Sequence, residues 1–96
     1  VSDAPARTRR WIWLHTKDNV AVALADLNEG ETVPLSPTPV VLKERIESGH
    51  KFAVIDIPQD TPIIKYEEII GVAVRDIRVG EHVHVHNVKS LRARSR

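Results

Sequence analysis

One pattern recurs three times in this chain, and each copy has the form of a strand, a tight turn and a second strand. The copies are Ala23, Asp26, Leu27, Gly30, Val33; Ala53, Asp56, Ile57, Asp60, Ile63; and Ala73, Asp76, Ile77, Gly80, Val83. Gly and Asp tolerate positive φ, and an Asp carboxylate accepts hydrogen bonds from backbone N–H groups a few residues on. The shared residues therefore describe turn geometry, and Asp26, Asp56 and Asp76 are read as turn formers and not as catalytic acids. Short strands repeated at intervals of roughly eight to twelve residues predict an all-β barrel or sandwich-like module, not a parallel α/β sheet. With 96 residues, the chain makes one domain that buries a modest core and has little room to enclose a substrate by itself.

The rest of the chain fits around those units. Residues 1–10 lack periodicity and carry Arg7, Arg9 and Arg10, so they read as a flexible lead-in to a domain spanning 11–90. Trp11, Trp13 and His15 alternate with Ile12 and Leu14, and 20–24 is rich in Val and Ala, so both segments suit strands. Pro34, Pro37 and Pro39 argue against a central strand there and leave 40–42 as a short edge strand. Residues 42–48 admit one short helical turn ended by Gly49, so helical content is expected to be minor. Residues 91–96 form a basic tail with Arg92, Arg94 and Arg96, read as solvated.

Cysteine is absent, so a metal would have to use His, Asp, Glu or backbone oxygen, and a reducing cytoplasm is the expected compartment. No stretch approaches the roughly 18 to 20 apolar residues of a membrane span, and no apolar segment follows the basic start, so neither a membrane nor a secretory role is expected. A formal net charge of +1 gives no electrostatic reason for a nucleic-acid partner.

The residues that carry chemistry lie at 82–86. His82, His84 and His86 alternate with Val83 and Val85, and period-two geometry projects all three imidazoles from one strand face. Neighbours at i and i+2 lie about 6 to 7 Å apart, close enough for two rings to reach one metal ion if the strand bends. His82 is the weakest member because it sits inside the third repeat copy. Metal binding, proton transfer and anion recognition all remain open for this face. Lys51 and Lys65 are candidates for charge-assisted contacts to a carboxylate or sulfonate. No phosphate-binding glycine loop, serine-nucleophile motif or His-Glu-x-x-His pattern is present.

Four stretches, LHTKDNVAVAL (14–24), GHKFAVIDI (49–57), IIKYEEIIGVAVRDI (63–77) and GEHVHVHNVKS (80–90), together resemble the altronate dehydratase family. The likeness is to its amino-terminal domain, an SAF-type domain of β-clip fold, which occurs fused to a large catalytic region or as a separate small subunit, as in the sulfolactate sulfo-lyase type. Two departures are Glu67, where the family typically has glycine after the Lys-Tyr pair, and Thr16, a position often held by proline. Both are expected to loosen turns without removing site chemistry.

The resemblance implies the small subunit of a hydroxy-acid lyase, foremost a sugar-acid dehydratase, with an α-proton removed, an enolate-like intermediate formed and the β-substituent expelled. It implies a divalent metal, iron(II), held at least in part by a large catalytic subunit, a small hydroxy-acid substrate, and a homo-oligomer as a further option. Carried over by motif, His84 and His86 are the catalytic and metal-binding candidates. His15, Asn19, His50, Lys51 and Asn87 are the substrate-binding candidates. The alternative expectations are a non-catalytic carbohydrate- or anion-binding SAF module, or the small subunit of a sulfolactate sulfo-lyase.

Overall fold

The computed structural model describes residues 9–91; the basic tail beyond Leu91 and all but the end of the lead-in lie outside the described residues. The described residues are all-β, with nine short strands and no helix. These are β1 (Trp11–Ile12), β2 (Val20–Ala23), β3 (Thr32–Val33), β4 (Val40–Val41), β5 (Lys51–Ala53), β6 (Pro62–Lys65), β7 (Glu68–Ala73), β8 (His82–Val83) and β9 (Val88–Ser90). They form three antiparallel sheets, ordered β1-β2-β5-β8, β3-β4 and β6-β7-β9.

The repeat organises this fold more deeply than its three visible copies suggest. Residues 42–48 do not form a helical turn. They belong to a fourth copy, Leu42, Arg45, Ile46, Gly49, Phe52, with the same bends and the same isolated bridge. Leu42 replaces the small Ala and Arg45 replaces Asp, so the shared letters are lost while the apolar spacing survives. Gly49 is accordingly a turn residue of this copy and not a helix terminator. The four equivalent turn positions, Gly30, Gly49, Asp60 and Gly80, all have positive φ, between 71° and 90°.

The copies pair two by two. Leu27 and Ile46 exchange backbone hydrogen bonds of 2.8 and 2.9 Å, and Ile57 and Ile77 do the same at 2.7 and 2.8 Å. Each pair builds one core. Ala23, Leu27, Val33, Leu42, Ile46 and Phe52 gather in the first, with Trp11 and Trp13 packed against it. Ala53, Ile57, Ile63, Ala73, Ile77 and Val83 gather in the second, with Ile70 and Val88 beside it. Fully burying each large aliphatic or aromatic side chain contributes about 1.5–3 kcal/mol, so two small cores share the stabilisation.

The repeat aspartates also act between copies and not within their own turns. Asp26 accepts the Ser48 N–H at 2.9 Å, Asp56 accepts that of Val79 at 2.9 Å, and Asp76 accepts that of Gln59 at 2.8 Å. Each carboxylate thus clasps the turn of the partner copy. Arg45 cannot accept such a bond, and instead it pairs with Asp26 at 3.0 Å and Glu47 at 3.1 Å.

A further clasp holds the β6–β7 hairpin that borders the candidate site. Tyr66 and Glu67, at φ 54° and 66°, make its two-residue turn, a conformation that favours glycine. The buried Asp18 carboxylate accepts both of their N–H groups, at 2.9 and 2.8 Å. The turn is therefore fixed despite Glu67, through an acceptor 48 residues away from Tyr66 in sequence.

Candidate functional site

Antiparallel pairing of β5 with β8 sets Lys51 opposite Val83 and Phe52 opposite His82. One residue further along that register, His50 falls opposite His84. Their rings stack with centroids 4.2 Å apart and planes 16° from parallel. His82 stacks on both, at 5.0 Å from His50 and 5.3 Å from His84. His50 Nδ1 and His82 Nε2 are 2.8 Å apart, so one nitrogen donates and the other accepts.

The strand does not run to His86. It ends at Val83, and 84–87 turn back toward β9. Asn87 makes this turn, since its buried amide accepts the His84 N–H at 2.9 Å and donates to the His82 carbonyl at 2.8 Å. Asn87 therefore positions the backbone of the two histidines through both atoms of its side-chain amide. His86 lies at the edge of the cluster, its ring 5.2 Å from that of His82, with its carbonyl bound by Arg75 at 3.0 Å.

Among the described residues, the group with donor atoms close enough to share one metal ion is His50, His82 and His84, all within 4.8 Å of one another. The sequence reading paired His84 with His86; in the structure His82 and His50, the residue before β5, lie with His84, and His86 is not part of this group. Nitrogens sharing one ion lie roughly 3–4 Å apart, a modest contraction that rotamer adjustment of partly exposed rings can make. The donor set fits a divalent ion of borderline softness such as Zn²⁺ or Fe²⁺.

The surroundings of His82 and His84 favour their neutral forms. Burial first, then positive charge on His50, His86 and His84, pulls the His82 imidazole below its usual pKa, with Glu44 opposing. Burial first, then His50, the Lys51 ammonium and His86, does the same for His84, opposed by Glu47. A neutral imidazole is the ligating form. Because both folded pKa values are lowered, the unfolded chain takes up protons at higher pH than the folded one. The stability they contribute is therefore complete above about pH 6.5 and is lost as pH falls below it toward the folded pKa values. Denaturant midpoints measured between pH 7.5 and 5.5 should fall with pH, and this slope should flatten in H82Q/H84Q.

Beside His84 lies an open cavity of about 450 Å³, lined by Lys51, Lys65 and Glu68 together with apolar side chains of β7 and β9. Partial burial, and next the charge of Lys65, lowers the Lys51 pKa. Lys51 and His50 are thus brought to one place by β5. Two other sequence candidates are not. His15 is engaged at the hairpin tip, with Nε2 2.7 Å from Glu67 and Nδ1 accepting the Lys17 N–H at 3.1 Å. Asn19 is buried and bridges β2 to β6, donating to the Pro62 carbonyl at 2.9 Å and accepting from Ile64 N–H at 2.8 Å. A buried amide bonded twice to backbone is a scaffold element.

The contributions of Glu44 and Glu47 escaped the sequence reading. Glu44 accepts the His82 N–H at 3.0 Å, and Glu47 lies 4.0 Å from His50. Both sit in the concealed fourth copy, so the lost repeat also hid them.

Residues 9–91 match the family model described as the altronate/galactarate dehydratase SAF domain. The chain is 47% identical to altronate dehydratase of Escherichia coli over 81 residues, covering 84% of this chain and 16% of that protein. It is 40% identical to altronate dehydratase of Bacillus subtilis over 82 residues, 85% of this chain and again 16% of the relative. It is also 53% identical over 51 residues to the (2R)-sulfolactate sulfo-lyase subunit alpha of Chromohalobacter salexigens, covering 53% of this chain and 54% of that subunit. The chain therefore spans about one-sixth of the length of the dehydratases it matches.

Proposed function

Because the chain belongs to the altronate/galactarate dehydratase SAF domain family, we propose that it is the SAF component of a hydroxy-acid lyase, foremost a sugar-acid dehydratase, and supplies His and Lys side chains to a site completed by a large catalytic partner. The observation that carries this reading is the convergence of His50, His82 and His84 within 4.8 Å, next to a cavity lined by Lys51 and His84. The dehydratase relatives are about six times longer than the matched segment, and the sulfo-lyase relative is named as a subunit, which supports a partner. The cavity is open, which accords with a second surface closing it. No helix among the described residues is long and apolar enough to cross a membrane, and a cytoplasmic location belongs to the proposal.

In this reading the three imidazoles hold a divalent ion, iron(II) by family analogy. Such an ion supplies Lewis-acid polarisation of a hydroxy acid's oxygens. The chain's own residues hold the rings stacked, favour the neutral form of His82 and His84, fix the backbone of His84 through Asn87, and leave His86 at the edge of the cluster. Lys51 faces the same space with a positive charge suited to an acid substrate.

The test is titration of the chain with Fe²⁺ under anaerobic conditions, and with Zn²⁺, in competition with a coloured chelator. One ion per chain is expected, with the site lost in H50A/H82A and retained in H86A. Uptake that is absent, or unchanged in H50A/H82A, would overturn the metal assignment. The second reading, a binding module without catalysis, is favoured by the lysine-lined cavity, which exists without any metal. It predicts that the chain binds sugar acids equally well alone and that an assembled lyase does not depend on His84.

A further inference from the structure

We propose that the cavity beside His84 is an anion subsite in which the Lys51 and Lys65 ammonium groups together hold the carboxylate or sulfonate of a small hydroxy acid, with its hydroxylated carbons directed toward His84. This deepens the lyase reading, on which the stated orientation rests, and joins two lysines that the sequence offered only as separate candidates into one site on one cavity.

Arg10 pairs with Glu31, Arg45 with Asp26 and Glu47, and Arg78 faces Asp56. Among the described residues Lys51 and Lys65, like Lys17, Lys43 and Lys89, form no such ion pair; what sets these two apart is that they line one cavity. Glu68 also lines it, but it is an exposed residue at the start of β7, opposite Lys65 in the hairpin register. The Lys65 ammonium sits 5.1 Å from the centroid of the Tyr66 ring, a contact that orients the charge without neutralising it.

Two like charges brought to one partly buried place repel each other, and a shared anion reverses the sign of that interaction. The lining also includes Ile70, Val88 and Leu91, so a bound oxyanion meets its cations in a medium less screened than bulk water. The volume of about 450 Å³ falls within the range of small-ligand sites. A neutral polyol would leave both ammonium groups without compensation. The site therefore discriminates by charge and reads the acid group, while His84, which lines the same cavity, is left for the carbon chain.

The positions of the two lysines make the proposal separable from the fold. Lys51 lies at the start of β5 and Lys65 at the end of β6, and both side chains are partly exposed, so truncating their charge removes no core packing.

The experiment is a ¹⁵N-resolved titration of the whole chain with tartrate, isethionate and erythritol at constant ionic strength. These probes present a carboxylate, a sulfonate and no charge. Tartrate or isethionate should give saturable shifts at Lys51, Lys65 and His84, and erythritol none. K51Q and K65Q should each weaken binding about five- to tenfold, the scale of losing one charge-assisted hydrogen bond at a partly exposed site. K65R should stay within about twofold of the parent. Equal binding of erythritol, unchanged affinity in K65Q, or shifts confined to the arginine-bearing surface would overturn the proposal. Loss of anion binding with metal uptake intact would remove the subsite and leave the lyase reading standing. Anion binding that persists where metal uptake fails would uphold the subsite and remove the metal reading.

Discussion

In the proposed role as the SAF component of a lyase, replacing His84 by alanine is expected to lower the turnover of the complex by about a hundredfold to ten-thousandfold, the span typical of removing a group that transfers a proton or positions the reacting centre. His84 is the residue shared by the stacked imidazole cluster and the lysine-lined cavity. Its ring is partly exposed, and its backbone is held by Asn87, whose amide bonds do not involve the imidazole. The variant should therefore fold normally and assemble with its partner. H86A is the informative comparison. That ring stands at the cluster edge and outside the three-nitrogen group, so the expected loss is about tenfold or less. Steady-state kinetics of the reconstituted pair separate the possibilities. A fall in kcat for H84A with little change in KM would place His84 at the reacting atoms. Turnover within threefold of the parent would end its catalytic role.

The largest effect on stability is expected at Gly80. Its φ is +90°, and a Cβ built there would lie 2.2 Å from the Val41 carbonyl oxygen and 3.3 Å from Lys43 Cγ. The carbonyl belongs to backbone that cannot simply rotate away, because Gly80 O also accepts the Lys43 N–H at 2.9 Å. G80A should cost about 4 kcal/mol or more, combining left-handed strain with a backbone clash, and should leave a domain of this size largely unfolded. Gly30 and Gly49 occupy the same repeat position with similar φ, but a Cβ at either would meet nothing within 4 Å. G30A and G49A should therefore lose only about 1–2 kcal/mol, the strain alone. Asp60, which already holds the equivalent site at φ 71°, shows that a side chain fits there when space permits. Thermal unfolding of the three variants gives the answer. A G80A protein as stable as G30A would mean that the Val41 contact is not a fixed part of the fold.

The repeat and the histidine pattern were legible because each is a matter of local period. Three copies announced themselves through Ala, Asp and a turn residue, and they led to an all-β domain. The fourth did not, because Leu42 and Arg45 removed the letters while Ile46 and Gly49 kept the spacing. Alternation at 82–86 correctly gathered histidines, yet it extended the strand too far. The turn at 84–87 depends on the Asn87 amide, and a period-two rule contains no information about that bond. Asn19 and Asn87 entered as substrate contacts through the family motif. Burial and two backbone hydrogen bonds apiece give each of them a structural role that the motif did not reveal.

What the sequence determined by itself was the kind of unit this chain repeats and the chemical character of the segment at 82–86, since strand period, turn residues and imidazole spacing act over a few neighbouring residues. Tertiary structure decided how the units pair, which aspartate clasps which turn, and that His50 from the start of β5 and not His86 completes the cluster with His82 and His84. The physical reason is distance along the chain. His50 and His82 are 32 residues apart and meet at 2.8 Å because β5 and β8 pair in one register. That register is set by burying Phe52 and Val83 in the two cores, and no local pattern specifies it.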